Sequence, residues 1–201
     1  CLTGTNGKTT TVGMVDSILK AAGRHSAQVG NVGLPIVYAV ADDEEYEFFA
    51  VELSSFQLHW TYSLSPLASA VLNVADDHVD WHGSFEAYKA AKARIYENTQ
   101  VACIFNEDHA DTRRMVEEAD VVEGARAVSI SSTEIPRVSM LGLAEDILVD
   151  RAFLKDRYHQ ALELGVLTDL AQAPGQVPAQ HTVENALAAA ALTRAAGIAP
   201  E

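Results

Sequence analysis

The sequence predicts an α/β protein in which a mainly parallel sheet carries helices on both faces. Four continuous apolar runs alternate with segments whose apolar residues recur at helical spacing, as in strands buried on both faces and joined by helices. A glycine-rich loop opens the chain, and polar clusters follow two of the apolar runs. Both features are expected beyond the carboxyl ends of parallel strands, where this fold class binds its ligands.

The opening loop, Cys-Leu-Thr-Gly-Thr-Asn-Gly-Lys-Thr-Thr-Thr, has the composition of a phosphate-binding loop. Its glycines let backbone N–H groups approach phosphate oxygens, Lys8 supplies positive charge to the β- and γ-phosphates, and the Thr9 hydroxyl suits Mg²⁺. The alternative is a glycine turn before an ordinary helix, since Leu2 stands where the general pattern has its first glycine. We assign nucleotide binding to Gly4, Thr5, Asn6, Gly7, Lys8, Thr9 and Thr10.

The segment after the loop predicts the first helix, because apolar residues recur at helical spacing from Thr10 to Ala22. A helix that begins near Lys8 would direct the positive end of its dipole at the same anion. The rest of the chain predicts strands at Ala27–Val29, Phe48–Val51, Ala68–Val74, Val101–Asn106 and Arg126–Ile130, helices at Leu34–Ala41, Phe85–Asn98, Asp108–Ala119 and Asn185–Ala196, a hairpin at Ile147–Leu154 and a weak helical pattern at Arg157–Leu170.

Three polar side chains follow strands or turns at positions where a ligand could be held. Glu52 ends the Phe48–Val51 run, so it is either a Mg²⁺ ligand beside the loop or an acid that reaches solvent. His78 follows the Ala68–Val74 run and is either a metal or phosphate contact or a surface or capping residue. Asn31 lies among glycines and is either close to a ligand or a plain turn residue.

Lys92 lies on the apolar side of the predicted helix that begins at Phe85. At 100° per residue it falls between Phe85, Tyr88, Ile95 and Tyr96. Either its ammonium extends past the rings to water, or it is partly buried and has a lowered pKa. The pattern alone favours the first state. A neutral amine could react with CO₂ and form a carbamate, an anionic oxygen ligand for a hard cation.

The composition narrows the class of protein. The 201 residues hold 14 Lys and Arg against 28 Asp and Glu, and the net charge of −14 argues against nucleic acid as a partner. No apolar stretch approaches the length of a membrane span, so we expect no membrane insertion. The two cysteines form no framework, as in a reducing cytoplasm.

These stretches together resemble the muramyl ligases, the ATP-dependent enzymes that build the peptide stem of the bacterial cell wall. The resemblance rests on the residues 4–9, 31–35, 52–58, 72–78 and 88–98, and it covers the chain from end to end. It implies the family's central domain, with a fold like that of the P-loop nucleoside triphosphatases. The stretches 52–58 and 94–98 are typical of the D-glutamate-adding members.

The resemblance also implies roles for individual residues. Thr9 and Glu52 would help to hold one Mg²⁺, whereas His78 and a carbamylated Lys92 would hold a second. Lys8, Lys92 and His78 would be catalytic, Asn185 would meet the adenine, and Asn31, Ser54 and His78 would face the muramyl substrate. One residue departs from the family, since Thr182 stands where an asparagine is usual. We expect Thr182 to cap the last helix instead.

The implied reaction forms an amide bond between D-glutamate and UDP-N-acetylmuramoyl-L-alanine through an acyl phosphate. ATP, D-glutamate and the muramyl nucleotide would be the small-molecule partners of a cytoplasmic enzyme, monomeric at full length. The alternatives are another ligase of the superfamily, such as a folylpolyglutamate synthase, or a nucleotide switch. A GTPase-type switch needs an Asn-Lys-x-Asp tetrad, which the sequence lacks. We expect residues 1–201 to be the central ATP-binding domain, without the UDP-binding and amino-acid-binding domains, and to be inactive alone.

Overall fold

A computed structural model describes residues 1–171, 173 and 175–200, and it contains one mixed sheet flanked by helices. The sheet order is β2-β3-β1-β4-β5-β6-β7-β8-β9. The strands are β1 (Leu2–Thr3), β2 (Ser26–Gly30), β3 (Phe48–Glu52), β4 (Ala68–Val71), β5 (Ala102–Asn106), β6 (Arg126–Ser131), β7 (Met140–Ala144), β8 (Ile147–Asp150) and β9 (Leu162–Val166). The helices are α1 (Lys8–Ala21), α2 (Ile36–Ala41), α3 (Ser55–His59), α4 (Val79–His82), α5 (Phe85–Ala93), α6 (Ala110–Glu117) and α7 (Gln180–Ala195).

The strands from β2 to β7 run parallel, and β8 and β9 add an antiparallel edge. Strand β1 pairs with β3 on one side and β4 on the other, at Leu2 opposite Glu52 and Ala70. The chain thus leaves β1, builds one half of the sheet, and then crosses to build the other half. This is the topological switch point, and the glycine loop emerges from it.

Both faces of the sheet are buried, which explains the continuous apolar runs. In β4 and β5, Ala68, Ala70, Ala102 and Ile104 pack into a core with α1 and α7. Val71 and Cys103 point to the other face, into a second core with residues of α2, α3 and α6. The predicted mainly parallel sheet with helices on both faces is therefore confirmed.

Several boundaries differ from the sequence-based prediction, and the largest differences lie in the second half of the chain. The hairpin joins β7 to β8, so the segment predicted as a whole hairpin supplies only its second strand. The helical interpretation of Arg157–Leu170 is wrong, because the regular structure in this segment is β9 and a 3₁₀ turn at Leu167–Leu170. Leu162, Leu164 and Val166 recur at every second position, as in a strand. Pairing with β8 stabilises this segment as a strand.

Two helices also differ from the prediction. The helix predicted at Phe85–Asn98 is α-helical only to Ala93 and continues as a 3₁₀ turn at Arg94–Tyr96. Helix α7 begins at Gln180, one turn before the predicted start. Thr182 consequently lies inside the first turn, and its predicted role as the helix cap is wrong, since Ala179 holds that position.

Helix α7 is tied to the antiparallel edge by a buried ion pair. Arg194 Nε donates to Asp150 Oδ2 over 2.9 Å, and the Asp150 side chain is fully buried. Asp150 Oδ1 also accepts from the backbone N–H groups of Ala152 and Phe153. These hydrogen bonds replace the water that the buried carboxylate has lost, and they fix the position of α7 against the sheet.

None of the helices in the described part of the chain is both long enough and apolar enough to cross a membrane.

We predict that Arg194→Ala lowers the free energy of unfolding by about 3–5 kcal/mol, because it leaves the Asp150 carboxylate buried without its counter-ion. The matched control is Arg24→Ala, which breaks the exposed pair with Glu47 and should cost less than about 1 kcal/mol. Urea unfolding of both variants measures the difference. Equal losses would show that the Asp150–Arg194 pair does not anchor α7.

Candidate functional site

The glycine loop leaves β1 and turns directly into helix α1. Gly7 caps this helix with φ of 81°, a left-handed conformation that favours glycine. A Cβ at Gly7 would also collide with the side-chain amide of Asn185 from α7. Position 7 therefore requires glycine for two reasons: its positive φ and the close approach of Asn185.

The shape of the loop is held by Asn73, which follows β4. The Thr5 N–H donates to the Asn73 carbonyl over 3.0 Å, and the Asn6 N–H donates to Asn73 Oδ1 over 2.9 Å. In return, Asn73 Nδ2 donates to the Asn6 carbonyl over 3.1 Å. Asn73 lies within the 72–78 stretch, which gave no indication of its role in the sequence. The available signal was a polar residue near the carboxyl end of the mainly apolar Ala68–Val74 run.

The clamped loop leaves the start of α1 free to bind an anion. The first N–H groups of any helix have no partner within it, and here they begin at Lys8, beside the glycine turn. Lys8 Nζ donates to the Thr5 carbonyl over 3.0 Å, so its ammonium lies over the loop. The geometry of the loop is compatible with the phosphate site that the glycine and lysine pattern predicts.

Glu52 lies beside the loop, at the carboxyl end of β3. The Thr9 hydroxyl donates to Glu52 Oε2 over 3.1 Å, and Asn31 Nδ2 donates to Oε1 over 2.9 Å. Glu52 is 1% exposed, so the alternative of an acid reaching solvent is wrong. Asn31 is likewise more than a turn residue, since it orients the carboxylate. Ion pairs to Glu52 are absent within the described residues, and a buried carboxylate without a counter-ion is suited to a bound cation.

These observations test whether Mg²⁺ would fit. The Thr9 hydroxyl and the Glu52 carboxylate are hard oxygen donors next to a phosphate site, which is how Mg²⁺ is usually bound by proteins. Over the described ranges, no three His, Cys, Asp or Glu side chains form a complete metal cluster. The pair Thr9 and Glu52 therefore fits a Mg²⁺ ion that takes its other ligands from phosphates and water.

Lys92 is on the other side of the loop and is only 2% exposed. Its Nζ donates to the Gly4 carbonyl over 2.8 Å and to Thr3 Oγ1 over 3.4 Å, and it lies 4.8 Å from the centre of the Tyr88 ring. The favoured expectation that Lys92 extends to water is wrong, because the backbone carbonyl of the loop offers it a closer partner. Burial, reinforced by the charge of Lys8, lowers its pKa to about 7.

His78 and Ser54 stand on the two loops that follow β4 and β3. His78 precedes α4 with φ of 50°, and its exposed ring packs against Phe56 at 4.9 Å between centroids. Ser54 caps α3, where its hydroxyl accepts from the Gln57 N–H and donates to Gln57 Oε1. Both residues lie beyond the carboxyl ends of their strands, which the sequence predicted for His78, and the Ser54 hydroxyl is engaged in the helix cap.

The structure thus brings most of the predicted residues to one edge of the sheet. Direct contacts join the loop to Asn185, Glu52 and Lys92, and Glu52 to Asn31. Tyr88, which sequence analysis treated as apolar packing, also belongs to the site, since its hydroxyl is 3.0 Å from Thr5 Oγ1.

We predict that the stability of the protein relative to Lys92→Met rises with pH. The unfolded chain keeps the Lys92 proton up to its ordinary pKa of 10.5, whereas the folded chain loses it near 7. Unfolding therefore takes up a proton between these two pH values. Below pH 7 the folded protein bears the full cost of burying the charged ammonium, and this cost falls as the pH rises above 7.

The expected slope is on the order of 1 kcal/mol per pH unit above about pH 7. Urea unfolding of both proteins at several pH values measures it. Lys20→Met, at an exposed lysine, is the control and should show no such slope relative to the parent. A stability gap for Lys92→Met that stays constant with pH would contradict the buried, neutral amine.

Comparison with known proteins gives the family. The model of the Mur ligase middle domain matches residues 2–193. The chain is 51% identical to the UDP-N-acetylmuramoylalanine--D-glutamate ligase of Leifsonia xyli subsp. xyli and covers 39% of that protein. It is 52% and 53% identical to the enzymes of the same name from Streptomyces coelicolor and Streptomyces avermitilis. In each of these two comparisons, the match covers 98% of this chain and 41% of the relative.

Solved structures show the same fold. A UDP-N-acetylmuramoyl-L-alanyl-D-glutamate--2,6-diaminopimelate ligase superimposes with a TM-score of 0.73 at 22% identity, over 98% of this chain and 43% of that one. A MurF ligase from Thermotoga maritima in complex with ADP superimposes with a TM-score of 0.62 at 18% identity, over all of this chain and 45% of the other. The chain spans about two fifths of the length of the curated relatives. By the extent of the family match and by these identities, the chain belongs to the Mur ligase middle-domain family.

Proposed function

We propose that this chain is the central ATP-binding domain of an ATP-dependent ligase that adds D-glutamate to UDP-N-acetylmuramoyl-L-alanine. The observation that carries the proposal is the Thr9–Glu52 pair beside the glycine loop, which would put a cation next to the bound phosphates. The names of relatives at 51–53% identity support the choice of D-glutamate as the acceptor. The ADP in a structural neighbour supports ATP as the nucleotide.

The first step of the proposed reaction transfers the γ-phosphoryl group. The alanyl carboxylate attacks the γ-phosphorus, its bond to phosphorus forms, and ADP leaves as an acyl phosphate is produced. Two anions must approach for this to happen, so the site has to offset their repulsion. Lys8 and the N–H groups at the start of α1 would do so, because both lie at the glycine loop.

The second step forms the amide. The D-glutamate amine attacks the acyl carbon, phosphate leaves, and the amine loses a proton. The product is an amide bond, and the overall reaction yields ADP and phosphate. A net charge of −14 would repel these substrates at long range, so the local donors of the loop must hold them.

Mg²⁺ would be held by Thr9 and Glu52 at one site and by His78 and a modified Lys92 at a second. When bound, it neutralises phosphate charge and polarises the transferring group. For the first site, Asn31 fixes the carboxylate through the hydrogen bond to Oε1. Such outer partners set the orientation and basicity of a ligand.

Lys92 is proposed to carry a carbamate in the working enzyme. Its neutral amine would attack CO₂, form an N–C bond and release one proton, leaving an anion. Burial and a pKa of about 7 support this step, because much of the amine is unprotonated near neutral pH. The carbamate would replace the hydrogen bond that the amine now donates to the Gly4 carbonyl.

The remaining residues are assigned to the substrates. Asn185 would meet the adenine, which its contact with Gly7 supports. Asn31, Ser54 and His78 would face the muramyl nucleotide from the loops after β2, β3 and β4. Domains that bind UDP and the amino acid would complete the site in a monomeric cytoplasmic enzyme.

We predict that the chain binds Mg·ATP more tightly than Mg·GTP, and that Glu52→Gln weakens Mg·ATP binding by about tenfold or more. The control is Glu47→Gln, which removes an exposed carboxylate just before the opposite end of the same strand. Isothermal titration calorimetry measures all four affinities. Binding that is equally tight in Glu52→Gln would rule out Glu52 as a Mg²⁺ ligand.

The acceptor is tested in the full-length enzyme that carries this segment. Phosphate release should require D-glutamate, and other amino acids should give little product. The isolated chain should form no amide. Turnover with another amino acid in preference to D-glutamate would contradict the proposed substrate.

Lys89 offers a matched control for the carbamate. Its amine is bound by Glu86 and Asp111, which raise its pKa and keep it cationic. We predict that Lys92→Ala abolishes ligation in the full-length enzyme, whereas Lys89→Ala has a mild effect. With ¹³C-bicarbonate and Mg·ATP, a carbamate NMR signal should persist in Lys89→Ala and vanish in Lys92→Ala. An unmodified amine in the metal-loaded parent enzyme would overturn the proposal.

A further inference from the structure

The loops that follow β3 and β4 meet although their strands are not neighbours. Strand β1 lies between β3 and β4 in the sheet, so the two loops make contact across the strand that leads to the glycine loop. The polar contact between them is a 3.0 Å hydrogen bond shared by Ser55 Oγ, at the start of α3, and His82 Nε2, at the end of α4. This bond spans the switch point of the sheet.

The bond is the sole hydrogen bond of the Ser55 hydroxyl within the described residues, and Ser55 is only 2% exposed. A buried hydroxyl that loses its partner keeps the full cost of desolvation, so the pair resists separation. The His82 ring is held on its faces as well. It stacks on Phe56 with an interplanar angle of 12° and meets the Tyr88 ring at 5.4 Å between centroids.

Helix α4 transmits this constraint to His78. The helix has a single turn, and it begins directly after His78 and ends with His82. His78 has φ of 50° and ψ of 25°, a left-handed conformation that residues with a Cβ seldom adopt without support from their surroundings. Phe56 touches both histidine rings, at 4.9 Å from His78 and 5.7 Å from His82. The far end of the turn is therefore fixed by Ser55, and the near end rests on the residue after Ser55.

We propose that His82 is a positioning residue that fixes the direction of the His78 ring, through its hydrogen bond to Ser55. The same bond sets the spacing between the loop after β3, which follows Glu52, and the loop after β4. The proposal goes beyond the residues that contact substrates or metal, and it rests on the proposed function only where His78 is given a role toward Mg·ATP. The orientation of His78 is a structural claim that can be measured separately.

The test uses His82→Phe, which keeps a ring on Phe56 but removes the hydrogen bond, and His82→Gln, which keeps a donor and an acceptor. Ser55→Ala and the double variant Ser55→Ala/His82→Phe complete a thermodynamic cycle. The first measurement is the ¹H–¹⁵N spectrum of the imidazole rings, in which His78 is one of seven histidines. The second is the affinity for Mg·ATP by calorimetry, with thermal melting to confirm that each variant is folded.

We expect His82→Phe to shift the His78 resonances and weaken Mg·ATP binding by about tenfold, equivalent to one buried hydrogen bond. His82→Gln should stay within about twofold of the parent, and the double variant should lose no more than either single variant. Unchanged His78 resonances in His82→Phe, or losses that simply add in the double variant, would overturn the proposal. If the parent chain fails to bind Mg·ATP, the proposed function fails, and the His78 resonances still decide the positioning role.

Discussion

The site depends on how the backbone of the glycine loop is held open. A loop that binds phosphate must keep some N–H groups unpaired while the rest of its backbone is satisfied. Asn73 meets this requirement, because its backbone and side chain bind Thr5 and Asn6 and leave the start of α1 free. The clamp comes from the segment that follows β4, the strand next to β1, so the loop has its shape only when the sheet is assembled.

Two buried groups of opposite charge type flank this loop. Glu52 touches Thr9 on one side, and Lys92 touches the Gly4 carbonyl on the other. Burial acts on both, but the outcome differs. Burial lowers the pKa of Lys92 to about 7, whereas the buried Glu52 carboxylate accepts hydrogen bonds from Thr9 and Asn31. In the proposed function, the Lys92 amine would react with CO₂ and the Glu52 carboxylate would bind Mg²⁺.

The negative net charge of the protein means that any bound anion must be held by local groups of the loop. With a net charge of −14, the protein as a whole does not attract anions. In the proposed function, phosphate would be bound by donors within a few ångströms, namely the N–H groups at the start of α1 and Lys8. The ties around the switch point, from Asn73 to the Ser55–His82 bond, keep these donors and the neighbouring loops in a fixed arrangement.

The sequence by itself determined the class of fold, the glycine loop before α1, and the positions of Glu52 and His78 at or beyond the ends of buried strands. Periodicity and strand-end polarity are local signals. It could not determine the strand at Leu162–Val166, whose order depends on pairing with β8. Nor could it decide that Lys92 is buried, since the carbonyl that binds it lies 88 residues away. The clamp by Asn73 and the Ser55–His82 bond likewise join residues that only the folded sheet brings together. Contacts between distant parts of the chain are set by topology, and topology is a property of the tertiary structure.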